Sequence, residues 1–240
     1  MMQLDQLNSI ELASMLGRLD PLVMAVDAEG TILDRHICHN ERVPLDMLDA
    51  RSLRAVLSTE VCSEWLRMIR LAAVERSVAS AIVILDGRGH EAVCSPYTVD
   101  RDGVKREAAL LSLLPTALCA NAYVVQPTGT RLLMKAHEWG PLETLSRCQL
   151  DTLRNVTMGL SNDEIAKKIY RTKRAVEWHI RYLNQQLDIS GRERLAMIGR
   201  DAGLCCFSGC EWSSLLKTRP ARRPGVDPME PDATAHPIAA

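Results

Sequence analysis

The chain has 240 residues, which is enough for two modest domains with hydrophobic cores of their own. Hydrophobic residues make up 47 % of it and the formal net charge is −1, so the totals describe an ordinary globular protein and give no indication of a nucleic-acid partner. No apolar run reaches the roughly 18 residues of a membrane span, and the acidic N-terminus does not resemble a signal peptide. We therefore expect a cytoplasmic protein with no membrane association.

The cysteines fit a reducing compartment. Of the eight, five stand singly among apolar residues and are predicted to be small core side chains. The other three, Cys205, Cys206 and Cys210, form a cluster without a CxxC pair or a nearby histidine. No metal site is therefore predicted, and metal ligation or redox use of this cluster is the minor alternative.

The chain opens with alternating helix and strand signals. Helically spaced leucines predict a helix over residues 3–19. Two short apolar stretches, 22–26 and 31–33, flank the polar turn 27–30, which ends in glycine and indicates a β-hairpin. Residues 44–76 again show helical spacing.

Strand signals then return in three consecutive runs. Residues 81–85, 91–99 and 107–114 are separated by short turns rich in Asp and Gly, so a three-stranded antiparallel meander is predicted. With the preceding elements, the order is helix, two strands, helices and three strands. This order predicts an α+β domain over residues 1–118.

The element order and the sequence VDAEGTIL of the first turn resemble a PAS-type sensor domain. The resemblance implies an antiparallel sheet flanked by helices. It also implies either signal sensing or dimerisation, and the sequence does not choose between these roles.

Two segments lack regular apolar periodicity. Residues 119–142 contain several Pro and Gly and are predicted to be a linker, with a short strand at 123–125. Residues 205–240 are predicted to be a cysteine-containing segment followed by a disordered tail, because five prolines fall within 217–240.

The region 143–204 is predicted to be an all-α domain. Its four helices are expected at 147–158, from Ser161 onward, at 173–187 and at 192–202. Gly159 suits the left-handed residue that ends a helix. Ser161 and Glu164 have the spacing of a capping box, and Thr172 is a suitable N-cap for the third helix.

The third predicted helix has two different faces. Its apolar residues recur at spacings of four, three and four: Val176, Ile180, Leu183 and Leu187. Burying this stripe turns a polar set outward, namely Arg174, Glu177, Trp178, Arg181 and Gln185. Two short helices of which the second has a polar face describe a helix-turn-helix, whose second helix fits the major groove of DNA.

Local charge supports this interpretation. Residues 160–200 contain nine Lys and Arg against five Asp and Glu, a net charge of +4 within a nearly neutral chain. The candidates for phosphate contact are Lys167, Lys168, Arg171 and Lys173, and Thr172, between the last two, is also predicted to bind DNA. The alternative for the Lys167–Lys168 pair is a merely solvated helix face.

Four sequence segments in this region resemble a LuxR-type (GerE-type) helix-turn-helix domain over about 60 residues. They are LSRCQLDTL, GLSNDEIAKKIY, AVEWHI and LDI. The resemblance implies that Glu177, Trp178 and Arg181 occupy base-reading positions. Arg181 could then read guanine, and Glu177 could accept a hydrogen bond from cytosine. For Trp178, packing against the protein is the alternative.

Two positions depart from the family pattern. Gln149 stands where the family usually has a glutamate, and Ala175-Val176-Glu177 stands where it usually has Thr-Val-Lys. The lost lysine weakens the expected attraction to phosphate, and Lys173 and Arg174 are candidates to compensate for it.

The sequence as a whole predicts a transcription regulator of the α+β class. It should bind double-stranded DNA as a homodimer, with RNA polymerase as a further candidate partner. No catalytic residue, metal ligand or cofactor site is predicted, so an enzyme is not expected. The alternative function is a non-catalytic interaction protein whose degenerate helix-turn-helix binds another protein.

Overall fold

The computed structural model describes residues 22–37, 50–101, 104–116 and 129–218. The chain divides into two compact units between Gly140 and Pro141. The helix predicted over 3–19, the strand predicted at 123–125 and the tail beyond 218 lie outside the described residues. Within the described residues, every helix is too short or too polar to cross a membrane.

The first unit is an α+β fold built on a six-stranded sheet. Its strands are β1 (Leu22–Val26), β2 (Ile32–Ile37), β3 (Ala79–Leu85), β4 (Arg88–Arg101), β5 (Val104–Pro115) and β6 (Thr130–Arg131). Helix α1 (Thr59–Ala73) follows a short 3-10 turn at Leu53–Ala55. The predicted opening hairpin and the three-stranded meander are thus both present.

The strand order across the sheet is β2-β1-β5-β4-β3-β6. All neighbouring pairs are antiparallel except β3 and β6. The meander pairs tightly, with Cys94 of β4 opposite Leu111 of β5, and Leu22 of β1 opposite Leu113 of β5. Every residue of β1 and of β3 is buried, which explains why β1 is a continuous apolar run and why β3 is apolar except for Ser80.

Helix α1 supplies the other half of the core. Its apolar residues recur at helical spacing, and Trp65, Met68, Ile69 and Ala72 are fully buried. They pack with residues of β1, β3, β4 and β5 in one hydrophobic cluster. Burial of this face, rather than helix propensity, stabilises α1 against the sheet.

Residues 130–139 belong to this unit, whereas the sequence analysis placed them in a linker. Backbone N–H groups of Thr130 and Leu132 donate to Val78 and Ser80 carbonyls at 2.9 and 2.7 Å, and Met134 is buried in the core cluster. The segment supplies hydrogen-bond partners to backbone groups at the edge of β3. Its own residue pattern does not predict that pairing.

The second unit is all helical. Its helices are α2 (Arg147–Thr157), α3 (Asn162–Ile169), α4 (Lys173–Gln186), α5 (Arg192–Asp201) and α6 (Gly209–Thr218). Two 3-10 turns accompany them, at Gly140–Thr144 and Leu204–Cys206. The four predicted helices are present within a residue or so of their expected ends, and Gly159 has the expected positive φ, +79°.

Helix α6 corrects the expectation of a four-helix domain. It lies in the segment assigned to a cysteine-containing region, yet Trp212 and Leu215 are buried. Ser208 and Glu211 cap its start reciprocally: Ser208 N donates to Glu211 Oε2 at 2.7 Å, and Glu211 N donates to Ser208 Oγ at 3.3 Å. That S-x-x-E spacing is the sequence signal by which α6 could have been predicted.

Helices α2 and α5 approach each other closely at Gly199. A Cβ atom at this position would lie 1.9 Å from Thr157 Oγ1, which itself donates to the Leu153 carbonyl of α2 at 2.8 Å. A side chain at residue 199 therefore has no space unless the two helices separate.

His137 holds the segment 130–139 against β3 by two hydrogen bonds. Its Nδ1 accepts from Ile84 N at 3.2 Å, so its Nε2 carries the proton and donates to Met134 O at 3.1 Å. Burial of the ring lowers the pKa of His137 from 6.5 to about 4. The imidazole is therefore neutral in the folded unit at neutral pH.

The pKa of His137 predicts an acid-sensitive first unit. Between pH 6.5 and 4 the unfolded chain binds a proton that the folded chain does not, so stability is fully present above pH 6.5 and is lost as the pH falls. The loss is at most about 3 kcal/mol, an upper bound because the ring is only part-buried. Urea unfolding of wild type and His137→Gln at several pH values measures it. The variant should show a flatter pH dependence, and equal slopes would contradict the assignment.

Candidate nucleic-acid interface

Helices α3 and α4 are joined by a short turn, and side chains cap the start of each helix. Ser161 and Glu164 make the predicted capping box, with Ser161 N donating to Glu164 Oε2 at 2.7 Å. These hydrogen bonds lower the pKa of the Glu164 carboxyl. Thr172 caps α4, since its Oγ1 accepts from Ala175 N at 3.2 Å. The local sequence thus fixes where each helix begins.

A buried stripe sets the rotation of α4 about its axis. Val176, His179 and Leu183 are at most 2 % exposed, and Ile180 is half-buried beside them. His179 Nε2 lies 3.3 Å from Cys148 Sγ on α2, so the histidine has a partner inside the unit. His179 is therefore packed within its unit.

The opposite face of α4 is turned to solvent. Its exposed polar side chains are Arg174, Glu177, Arg181 and Gln185, as the helical spacing predicted. Trp178 is half-buried and stacks on Tyr182 with ring centroids 5.4 Å apart and an interplanar angle of 20°. The ring of Trp178 is therefore partly packed against its own helix.

The candidate phosphate contacts differ in their surroundings. Lys167, Lys168 and Arg171 are exposed near the end of α3, as is the Thr172 cap. Lys173, by contrast, forms an exposed ion pair with Asp163, with Nζ 2.9 Å from Oδ2. The hydrogen bond and charge of Asp163 raise the pKa of Lys173, so its ammonium stays charged while part of its field is neutralised. Lys173 is thus a poorer substitute for the lysine that LuxR-type domains usually have at position 177 than the sequence suggested.

Arg192 was counted among the local cations, but the structure gives it a positioning role. It donates to Asn162 Oδ1 at 2.6 Å and to the Leu160 carbonyl, and so ties α5 to the start of α3. Partial burial lowers the pKa of its guanidinium. Sequence spacing gave no sign of this contact because the partners are about 30 residues apart.

Gln149 keeps the capping function despite its departure from the family pattern. Its Oε1 accepts from Ser146 N at 2.7 Å, while Ser146 Oγ accepts from Gln149 N at 3.3 Å. The side chain is fully buried, and within the described residues its Nε2 has no hydrogen-bond partner. A glutamate would cap α2 without leaving such a donor.

Tyr170, between α3 and α4, is a feature that the sequence reasoning missed. It has a left-handed backbone, φ 55° and ψ 49°, and 89 % of its surface is exposed. This conformation is unfavourable for residues other than glycine. A tyrosine therefore occupies the turn at a cost in stability, and its side chain has no burial to offset that cost.

Replacing Tyr170 by glycine should stabilise the second unit. Relief of roughly 1–2 kcal/mol of backbone strain exceeds the extra unfolded-state entropy of glycine, so we expect a net gain of up to about 1 kcal/mol. Tyr170→Ala is the matched control, because it removes the ring but keeps the Cβ and the strain. Chemical unfolding should show stabilisation for the glycine variant alone. A gain shared by both variants would assign the cost to the ring and not to the backbone.

Comparison with known proteins gives a local match and a distant structural likeness. No protein-family model matches the chain. A curated protein of Haemophilus influenzae, named nitrate/nitrite response regulator protein homolog, is 36 % identical over 61 residues, which are 25 % of this chain and 29 % of that protein. The chain therefore matches less than a third of that relative.

Two solved structures can be aligned with most of this chain. VqmA bound to DPO has a TM-score of 0.34 and 12 % identity, covering 88 % of this chain and 95 % of that chain. A Vibrio cholera VqmA–ligand–DNA complex has a TM-score of 0.37 and 12 % identity, covering 84 % and 92 %. These similarities extend along most of each chain, but they are low in both measures.

Proposed function

We propose that this chain is a transcription regulator that binds double-stranded DNA by placing α4 in the major groove. The observation that supports this most is the exposed polar face of α4, Arg174, Glu177, Arg181 and Gln185, on a helix whose opposite stripe is buried. A helix presented in this way can reach base edges without moving within its unit. The resemblance to LuxR-type domains and the local match to a response regulator are in accord with it.

The proposed contacts divide into positioning and reading. Lys167, Lys168 and Arg171 on the α3 side hold phosphates and fix the register of the unit on the duplex. On α4, Arg181 reads guanine O6 and N7, and Glu177 accepts from a cytosine amino group one helical turn away. The glutamate repels phosphate in every sequence, and on a duplex that offers no such donor its carboxylate stays unpaired, so it disfavours that duplex.

For the first unit we propose signal sensing or dimerisation, in a homodimer bound to a pseudo-palindromic site. The sheet and α1 have the element order on which the PAS-like resemblance rests. A cytoplasmic location, the lack of a catalytic activity and contact with RNA polymerase are parts of the same proposal. We propose that the sensor and DNA-binding domains meet at the junction of the two units, near residue 140.

Binding of a protein partner is the second candidate function. It is favoured by the exposed Tyr170 and by the Trp178–Tyr182 stack, because aromatic side chains are enriched at protein interfaces. The Asp163–Lys173 pair and Glu177 also lower the positive potential of the surface. Salt dependence separates the two functions.

The proposal can be tested by selecting bound duplexes from a random DNA pool. Binding to the selected duplex is then measured as a function of salt concentration. We expect a two-fold related consensus. We also expect affinity to fall about 100-fold between roughly 50 and 200 mM salt if binding releases counterions from about four phosphates. A pool without enrichment, or binding indifferent to salt, would reject DNA recognition and favour the protein partner.

Two substitutions separate reading from positioning. Arg181→Ala should cost about 1–3 kcal/mol on the selected site and leave binding to random duplex almost unchanged. Lys168→Ala, an exposed cation on α3, should weaken both duplexes alike and reduce the salt slope by about 1. Quantitative titration of both variants on both duplexes provides the comparison. Equal losses for Arg181→Ala on the two duplexes would remove it from the reading face.

A further inference from the structure

The turn between α5 and α6 is held by one buried arginine. Arg154 of α2 donates from Nε to Leu204 O at 3.0 Å and from a terminal nitrogen to Phe207 O at 2.7 Å. Its guanidinium also lies over the ring of Trp212, 5.3 Å from the centroid. Arg154 thus fastens both ends of the turn and the first residues of α6 to α2.

Two adjacent thiols lie between these anchor points. Cys205 and Cys206 are each half-buried, so a small reagent can reach them. The Cys206 side chain hydrogen-bonds to the Cys205 sulfur, which also faces the positive charges of Arg200 and Arg154. These interactions lower the pKa of Cys205 from 9.0 to about 6, and the hydrogen bond from Cys206 is the largest cause.

Two cysteines of the first unit, Cys94 and Cys62, have a different setting. Cys94 lies in the sheet, fully buried, and burial raises its pKa to about 12. Cys62, on α1, is also buried, and its pKa is raised as well. A thiolate is the reactive form of cysteine, so Cys205 differs from these thiols in both charge and access.

We propose that Cys205 and Cys206 form a reversible oxidation site for small hydroperoxides, with Cys205 as the attacking thiol and Cys206 as the resolving thiol. The proposal stands apart from DNA binding, since it depends only on the turn and its neighbours. Cys210, one residue into α6, is exposed but takes no part in it.

The chemistry balances with the hydroperoxide as the two-electron oxidant. The Cys205 thiolate attacks the outer peroxide oxygen, the O–O bond breaks, and the departing alkoxide or hydroxide takes a proton from water. Cys206 then attacks the resulting sulfenic acid. The S–S bond forms, the S–O bond breaks, and the released hydroxide leaves as water with the proton of Cys206.

The product is strained, which makes it reversible. Consecutive Cα atoms are about 3.8 Å apart, whereas disulfides usually join Cα atoms about 4.4–6.8 Å apart. A strained disulfide is more easily reduced, so a dithiol should restore the thiols. Closing the bond also requires the turn to rearrange, so the contacts of Arg154 with the Leu204 and Phe207 carbonyls weaken and α6 loosens.

The full-length protein and two variants test the site. One equivalent of hydrogen peroxide at neutral pH should remove two hydrogens from the wild-type chain, in a disulfide that peptide fragmentation maps to Cys205–Cys206 and dithiothreitol reverses. Cys206→Ser should stop at a sulfenic acid on Cys205 that a cyclic 1,3-dione traps. Cys210→Ser is the matched control and should react like wild type.

Other outcomes would overturn the proposal. These are oxidation spread evenly over the cysteines, a disulfide that includes Cys210 or a second chain, or a Cys206→Ser variant in which the dione labels no residue at 205. Failure of DNA binding alone would leave each of these readouts unchanged.

Arg200 provides a test of the electrostatic part. It is exposed, so Arg200→Gln should fold normally and move the pH midpoint of Cys205 alkylation upward, which a merely structural arginine would not do. Trp212 reports on the loosening of α6: its fluorescence should change on oxidation and recover on reduction, and Trp212→Phe should abolish the change. An unchanged midpoint or an unchanged spectrum would refute the corresponding step.

Discussion

The seating of α4 on the rest of its unit is the constraint on which the remaining features depend. The stripe of Val176, His179 and Leu183 is buried, and burying apolar surface of this size is worth several kcal/mol, at about 25 cal/mol per Å². Rotating α4 by even a quarter turn would expose this stripe and bury Arg181. The residues available to a partner are therefore set by what the core requires.

The cationic side chains of the second unit have different structural roles. Arg154 and Arg192 are held by backbone carbonyls and keep helices together, and Lys173 is partly neutralised by Asp163. The nine local cations counted from the sequence therefore include Lys173 and Arg192, which are already engaged by groups of their own unit. Recognition by such a surface would rest more on the geometry of α4 than on general attraction.

The sequence predicted those features that depend on neighbours along the chain. The hairpin of β1 and β2, the meander of β3 to β5 and the caps at Ser161 and Thr172 all follow from spacings of a few residues. The same local logic would have found α6 through Ser208 and Glu211. Contacts between distant residues, such as Arg154 with Phe207, leave no periodic signal, because many arginines with the same spacing make no such contact.

The candidate site divides in the same way. Exposure of Arg174, Glu177, Arg181 and Gln185 followed from the helical period, while the Lys173–Asp163 pair and the half-burial of Trp178 required the packed structure. The left-handed backbone of Tyr170 could not be anticipated, since its residue type argues against that conformation.

The strand-like path of residues 130–139 has a practical consequence for anyone who wishes to divide the chain. Backbone N–H groups of Leu132 and Glu138 donate to carbonyls of β3, and Gly87 N donates to the Glu138 carbonyl. A truncation made before this segment would leave β3 as an exposed edge strand. Its unpaired backbone groups could then pair with strands of neighbouring molecules and cause aggregation. A separate first unit should therefore end after Gly140, so that it keeps the segment that borders β3.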